Sequence, residues 1–251
     1  MCFASITTNH DINQLNMKQI IFVIAFFVLA SCSSSKSGAD NALVKEEKNE
    51  GWKLLFDGRT LDGWRTYQNK PSESWSVTDG TIHCKGSKEK TDLHADLITK
   101  DQYDNFELSL DWKISPQGNS GIMYLVTEDY PTAYLSGPEY QIIDDLHFPE
   151  KLEDWQKTGA NYAMDPAPTA APNPVGEWNH TRIIVNKGHV EHWLNGKKIV
   201  EYQMWTDEWK NKKAIGKWKD APGYGQAQKG HIALQDHGSE AWFKNIKIKT
   251  L

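Results

Sequence analysis

Glu139, Gln141 and Asp144 lie within one short stretch, Gly137-Pro138-Glu139-Tyr140-Gln141-Ile142-Ile143-Asp144-Asp145. These side chains suit proton movement and the holding of polar ligands: a carboxyl group serves as general acid or base, and an amide both donates and accepts. Strand alternation points Glu139, Gln141 and Ile143 to one face and Tyr140, Ile142 and Asp144 to the other. An acid and an amide therefore share a face, and a carboxylate pair closes the strand. Two readings stand at this point: the floor of a binding cleft, or a strand whose polar face is simply solvated. Further along, His237 follows the apolar run Ile232-Ala233-Leu234. Imidazole titrates near neutrality, so His237 can act as a base or as an acid for a leaving group.

Those residues need strands to position them, and the chain from Gly51 onward reads almost entirely as strand and turn. Trp75 to Val77 and Thr81 to Cys84 flank Asp79-Gly80, and His189 to Leu194 and Lys198 to Tyr202 flank Asn195-Gly196. Both dipeptides are strong two-residue hairpin signals. Phe106 to Trp112 alternates, with Phe106, Leu108, Leu110 and Trp112 on one face and Glu107, Ser109 and Asp111 on the other. Gly121 to Val126, Trp178 to Val185 and Trp242 to Ile248 add strands, Thr206 to Lys213 has helical character, and Leu146 to Gly176 is irregular and proline-rich. Many short strands with little helix predict an all-β sandwich or jelly roll as a single domain.

The ends and the composition bound the rest. Met17-Lys18-Gln19, the apolar run Ile20 to Leu29 and Leu29-Ala30-Ser31-Cys32 have the order of a secretory signal. The cysteine at the cut makes the segment resemble a bacterial lipoprotein signal, which implies Met17 as the true start and lipid on Cys32. Residues 33–50 read as a flexible tether and 51–251 as the domain. The expectation is an exported protein, lipid-anchored on the periplasmic side or the cell surface, touching membrane only through that lipid. Cys84 has no partner for a disulfide. A net charge of -5 gives no basic footprint for nucleic acid. There is no dinucleotide fingerprint, P-loop, paired CxxC or GxSxG elbow.

Several motifs together resemble the 3-keto-disaccharide hydrolase family. They are Leu54-Leu55-Phe56-Asp57-Gly58 with Leu61-Asp62-Gly63-Trp64; Asn119-Ser120-Gly121-Ile122; Glu139 to Asp144; Thr158-Gly159-Ala160 with Tyr162; Gly176-Glu177-Trp178-Asn179; His192 to Gly196; and Gly230 to Gly238 with Trp242 to Ile246. The resemblance implies a concanavalin A-like jelly roll. It also implies cleavage of glycosides whose sugar carries a ketone at position 3. Such a ketone acidifies the neighbouring C2 proton, so a base removes it and the glycosidic oxygen leaves by elimination, with or without rehydration. The route needs a base, a stabiliser for the enolate oxygen and an acid for the leaving group.

On that footing Glu139, His237 and Asp144 are the catalytic candidates, the base being either Glu139 or His237. Glu107, Asn119, Gln141 and Gln235 are candidate sugar-binding groups, and Tyr162, Trp178 and His180 a candidate stacking wall. No motif supports an organic cofactor. A divalent ion held by Glu139, Asp144 and His237 would stabilise an enolate and stays open. The alternative is a non-catalytic carbohydrate-binding lipoprotein on the same lectin-like scaffold, because one fold hosts many functions.

Overall fold

A computed structural model describes residues 39–86 and 93–251, so the signal-like segment, Met17 and Cys32 lie outside the described residues. Among the described residues no helix is long and apolar enough to cross a membrane. The domain is a jelly-roll β-sandwich of two antiparallel sheets. The strands are β1 (Lys53–Leu54), β2 (Trp64–Thr66), β3 (Trp75–Thr78), β4 (Thr81–Cys84), β5 (Leu97–Thr99), β6 (Phe106–Ile114) and β7 (Asn119–Val126). They continue as β8 (Glu139–Ile143), β9 (Asn179–Asn186), β10 (His189–Leu194), β11 (Lys197–Gln203), β12 (His231–Leu234) and β13 (Ala241–Thr250). One sheet runs β11-β10-β9-β6-β13-β4-β3, with β1 added at β13; the other runs β2-β5-β12-β7-β8.

Alternation decides which side chains meet between the sheets. Phe106, Leu108, Leu110 and Trp112 are buried, as are Tyr140 and Ile142 from β8 and Ile122 and Tyr124 from β7. Withdrawal of these faces from water is the main drive for closing the sandwich. The two expected hairpins form at Asp79-Gly80 and Asn195-Gly196, with φ of 50° and 72° and of 48° and 83°. Positive φ at both central residues matches the twist of the flanking strands, which explains the Asp-Gly and Asn-Gly pairs. The free edge of β8 is covered by Gly159 to Tyr162: Gly159 N–H donates to Gln141 O at 2.8 Å, Gln141 N–H to Ala160 O at 3.1 Å and Tyr162 N–H to Glu139 O at 3.0 Å. A protected edge resists pairing with foreign strands, and here the cover also sets Tyr162 beside Glu139.

From residue 39 on, the segment expected to be a tether is held against the domain. It carries a short helix, α1 (Lys45–Asn49). β13 bulges between Lys244 and Lys247, with Asn245 at φ 54°. Such a bulge breaks the ladder and leaves backbone groups in need of partners. Asn41 supplies them: its N–H donates to Asn245 Oδ1 at 2.7 Å and its Oδ1 accepts Asn245 N–H at 2.8 Å. The helical expectation after Gln203 holds as α2 (Asp207–Ile215), capped by Thr206 Oγ1, which accepts Trp209 N–H at 3.2 Å. A single helical turn, Lys217–Asp220, follows it.

Candidate active site

The register of the five-stranded sheet builds the site. β12 pairs Leu234 with Leu97 of β5 and Leu234 with Ile122 of β7, while β7 pairs Gly121 with Gln141 of β8. One residue further along, Asp96, Gln235, Gly121 and Gln141 fall in a row across four neighbouring strands. Gln235 N–H donates to Gly121 O at 2.9 Å, which fixes the row. Directly opposed residues share a face, and this face is the one turned away from the core. It floors a cavity of about 510 Å³, within the range of small-molecule sites.

Glu139 leans over Gly121. A β-carbon at Gly121 would lie 2.2 Å from Glu139 Oε1, so only glycine leaves the carboxyl its place. Burial drives the Glu139 pKa up to about 8; the charge of Asp96 adds to this, while Lys217 and the Gln235 amide oppose it. Burial therefore favours the protonated form of the group. Asp96 is also raised, to about 7, by burial and by the nearby Asp236, against the pull of the Asp236 backbone N–H, His94 and Lys70. Its Oδ1 accepts the Asp236 N–H at 3.0 Å. Two carboxyls raised in this way in one cavity suit acid–base chemistry.

Polar floor and aromatic rim divide the remaining work. Gln141, Gln235 and Asp236 are almost fully buried, and Asn119 Oδ1, Gln141 Oε1, Gln235 Oε1 and Asp236 Oδ2 have no protein hydrogen-bond partner. Buried polar atoms without partners are costly in a finished core, so their concentration on one floor marks it as a surface built to meet a polar ligand. At the rim, Tyr162 and Trp218 pack edge to face at 6.3 Å, and Lys217 Nζ lies 4.1 Å from the Tyr162 ring centre and donates to Tyr162 Oη at 3.0 Å. Trp218 stacks on Tyr224 at 4.3 Å, which holds the wall rigid.

Six of the expected site residues converge here: Asn119, Glu139, Gln141, Tyr162, Gln235 and His237. His237 is solvent-exposed at the rim rather than on the floor. Asp144 is instead a turn residue. Its carboxylate accepts backbone N–H groups from Gln117, Leu146 and His147 at 2.9, 3.2 and 3.0 Å, which hold its pKa low although burial works against them. The metal trio of Glu139, Asp144 and His237 is therefore not assembled. Among the described residues, the one group with ligand-like spacing is His189, Glu191 and Glu201 on the other sheet, where Lys198 already reaches both glutamates.

Glu107, Trp178 and His180 belong to the outer face of the eight-stranded sheet, away from the cavity. Glu107 is neutralised by Arg182 at 2.5 Å and Lys249 at 3.1 Å. His180 Nδ1 meets Asp111 Oδ1 at 2.6 Å, and Trp178 is bracketed by the ammonium groups of Lys113 and Lys244, 5.2 and 4.6 Å from its ring. The predicted stacking wall is thus made by Tyr162 with Trp218 and Tyr134. Sequence reasoning also missed Asp96, Asp236 and Lys217. Asp236 sits between the candidates Gln235 and His237, and Asp96 immediately precedes β5.

Comparison with known proteins follows this geometry. Residues 51–249 match the family model described as a 3-keto-alpha-glucoside-1,2-lyase-like domain. The chain is 34% identical over 252 residues to a 3-keto-disaccharide hydrolase of Bacteroides thetaiotaomicron, covering 89% of this chain and 87% of that one. A crystal structure from Parabacteroides distasonis, described only provisionally as a glycosyl hydrolase, shares 44% identity with a TM-score of 0.78, over 84% of this chain and 99% of that one. A second one from the same organism shares 33% identity with a TM-score of 0.62, over 80% and 99%.

Proposed function

Because the chain belongs to the 3-keto-alpha-glucoside-1,2-lyase-like family and is a glycoside hydrolase-like enzyme acting on carbohydrate, we propose that it cleaves 3-keto-glycosides by elimination. A ketone at C3 acidifies C2–H; loss of that proton expels the glycosidic oxygen from C1, and water then adds to give net hydrolysis. The observation that carries this reading is the buried Glu139 carboxyl, raised to about 8 on the floor of the cavity. An ordinary retaining or inverting glycosidase works through an oxocarbenium-like state and needs one carboxylate firmly ionised. Here both floor carboxyls titrate near neutrality, which suits shuttling protons to and from carbon and oxygen. The buried amides Gln141 and Gln235, with Asn119, suit the sugar hydroxyls and the enolate oxygen, and Tyr162 with Trp218 suits the apolar face of a pyranoside.

The purified domain is expected to release aglycone from a 3-keto-glucoside and to leave the parent glucoside, which lacks the ketone, untouched. Chromatography of both reactions checks this. Equal cleavage of the two would end the elimination reading, and affinity without cleavage of either would favour a binding module instead.

A further inference from the structure

Elimination beside a ketone needs two proton transfers, one from C2 and one to the departing oxygen. Glu139 is placed for only one of them. Its site is closed over Gly121, it is 4% exposed, and among the described residues no ion pair neutralises it. A carboxyl closed off from water in this way, with no counter-ion beside it, favours its neutral form, and a protonated carboxyl gives rather than takes.

The second carboxyl is Asp96. It enters the same row as Gln235, Gly121 and Gln141, one strand from Gln235, with its backbone O accepting Tyr67 N–H at 2.8 Å. The Asp236 N–H fixes its Oδ1, and a backbone donor of this kind favours the ionised form. Its side chain is more exposed than that of Glu139 and opens onto the cavity. The other charged and titratable groups lining the cavity with the pair are Lys70, His94, Lys217, Asp236 and His237, with the phenols of Tyr67, Tyr134 and Tyr162. Resting on the 3-keto-glycoside reading, we infer that Asp96 is the base that removes the C2 proton and that Glu139 is the acid that protonates the leaving oxygen.

The electrons balance as follows. The C2–H bond breaks, its proton passes to Asp96, and its electron pair becomes the C1–C2 double bond. The C1–O bond breaks, its pair stays on the glycosidic oxygen, and that oxygen takes the Glu139 proton. Asp96 is now protonated and Glu139 ionised. When water adds, Glu139 takes a proton from the water whose oxygen bonds to C1, and Asp96 returns a proton to C2. Both groups end as they began, so one pair serves elimination and hydration in turn.

Leaving-group dependence separates the two roles. Asp96→Asn and Glu139→Gln are each assayed on a 3-keto-glucoside with a methyl aglycone and on one with a 4-nitrophenyl aglycone, whose oxygen departs without protonation. Asp96→Asn is expected to lose about 10²–10⁴-fold on both, the usual span of one proton-transfer group. Glu139→Gln is expected to lose a similar factor on the methyl glycoside and less than about tenfold on the nitrophenyl one. Circular dichroism confirms that each variant is folded, and formate added to Asp96→Ala is expected to restore part of the rate. Nitrophenolate release by Asp96→Asn at the parent rate would overturn the assignment, as would the opposite leaving-group pattern. Failure of the unmodified enzyme on both substrates would instead refute the 3-keto-glycoside reading itself.

Discussion

Glu139→Gln is expected to lose about a thousandfold of turnover on unactivated 3-keto-glycosides and, at pH 8, to be more stable than the parent. The first effect follows from removing a proton-transfer group. The second follows from linkage. The Glu139 pKa lies near 8 in the folded chain, above the 4.5 of an unburied glutamate. The folded state therefore binds the proton more tightly, and stability from this group is full below pH 4.5 and declines as pH rises through 8. Glutamine keeps the shape and never ionises, so it escapes the decline. The gain is on the order of a few kcal/mol above pH 8, since each pKa unit corresponds to about 1.4 kcal/mol. Asp96 contributes a drift of the same sign between about pH 4 and 7. Urea unfolding of both proteins from pH 5 to 9 measures the divergence. Parallel curves would show that Glu139 is not buried at such a cost.

Gly121→Ala is expected to cost about 1–3 kcal/mol of stability, the usual range for overpacking, and to lower turnover by about a hundredfold. The added methyl would stand 2.2 Å from Glu139 Oε1 and 2.9 Å from its Cδ, so the carboxyl must move. The effect on rate is expected to come through the displaced Glu139. Combining it with Glu139→Gln tests this, because the double variant should turn over no more slowly than Glu139→Gln by itself. Independent, multiplying losses would mean that Gly121 serves some other purpose.

Much of the fold was legible because its determinants are local. Alternation in Phe106–Trp112 and the turn chemistry of Asp79-Gly80 and Asn195-Gly196 specify strands and hairpins without knowledge of distant partners. Half of the site was legible for the same reason: Glu139 and Gln141 share a strand face, and Gln235 and His237 end a strand. What alternation does not decide is which sheet's outer face carries the cavity. Glu107 and His180 have the same outward phase as Glu139 but lie on the other sheet, where each finds an opposite charge: Arg182 and Lys249 for Glu107, Asp111 for His180. Asp144 shows a related ambiguity, since an aspartate after a strand fits a turn cap as well as a site. Asp96 escaped because its role depends on the pairing of β5 with β12, more than 130 residues away, and three-residue strands advertise no partner. Lys217 and Trp218 reach the rim through the turn after α2, which no local pattern directs toward a cavity.

The central claim is that bond cleavage proceeds through loss of the C2 proton. It is tested most directly by supplying a 3-keto-glycoside deuterated at C2 in ordinary water and examining the released sugar by NMR. Asp96 opens onto the cavity and exchanges its proton with solvent, so the account predicts that the sugar emerges with hydrogen at C2 in place of much of the deuterium. Full retention of deuterium at C2 during complete cleavage would contradict it.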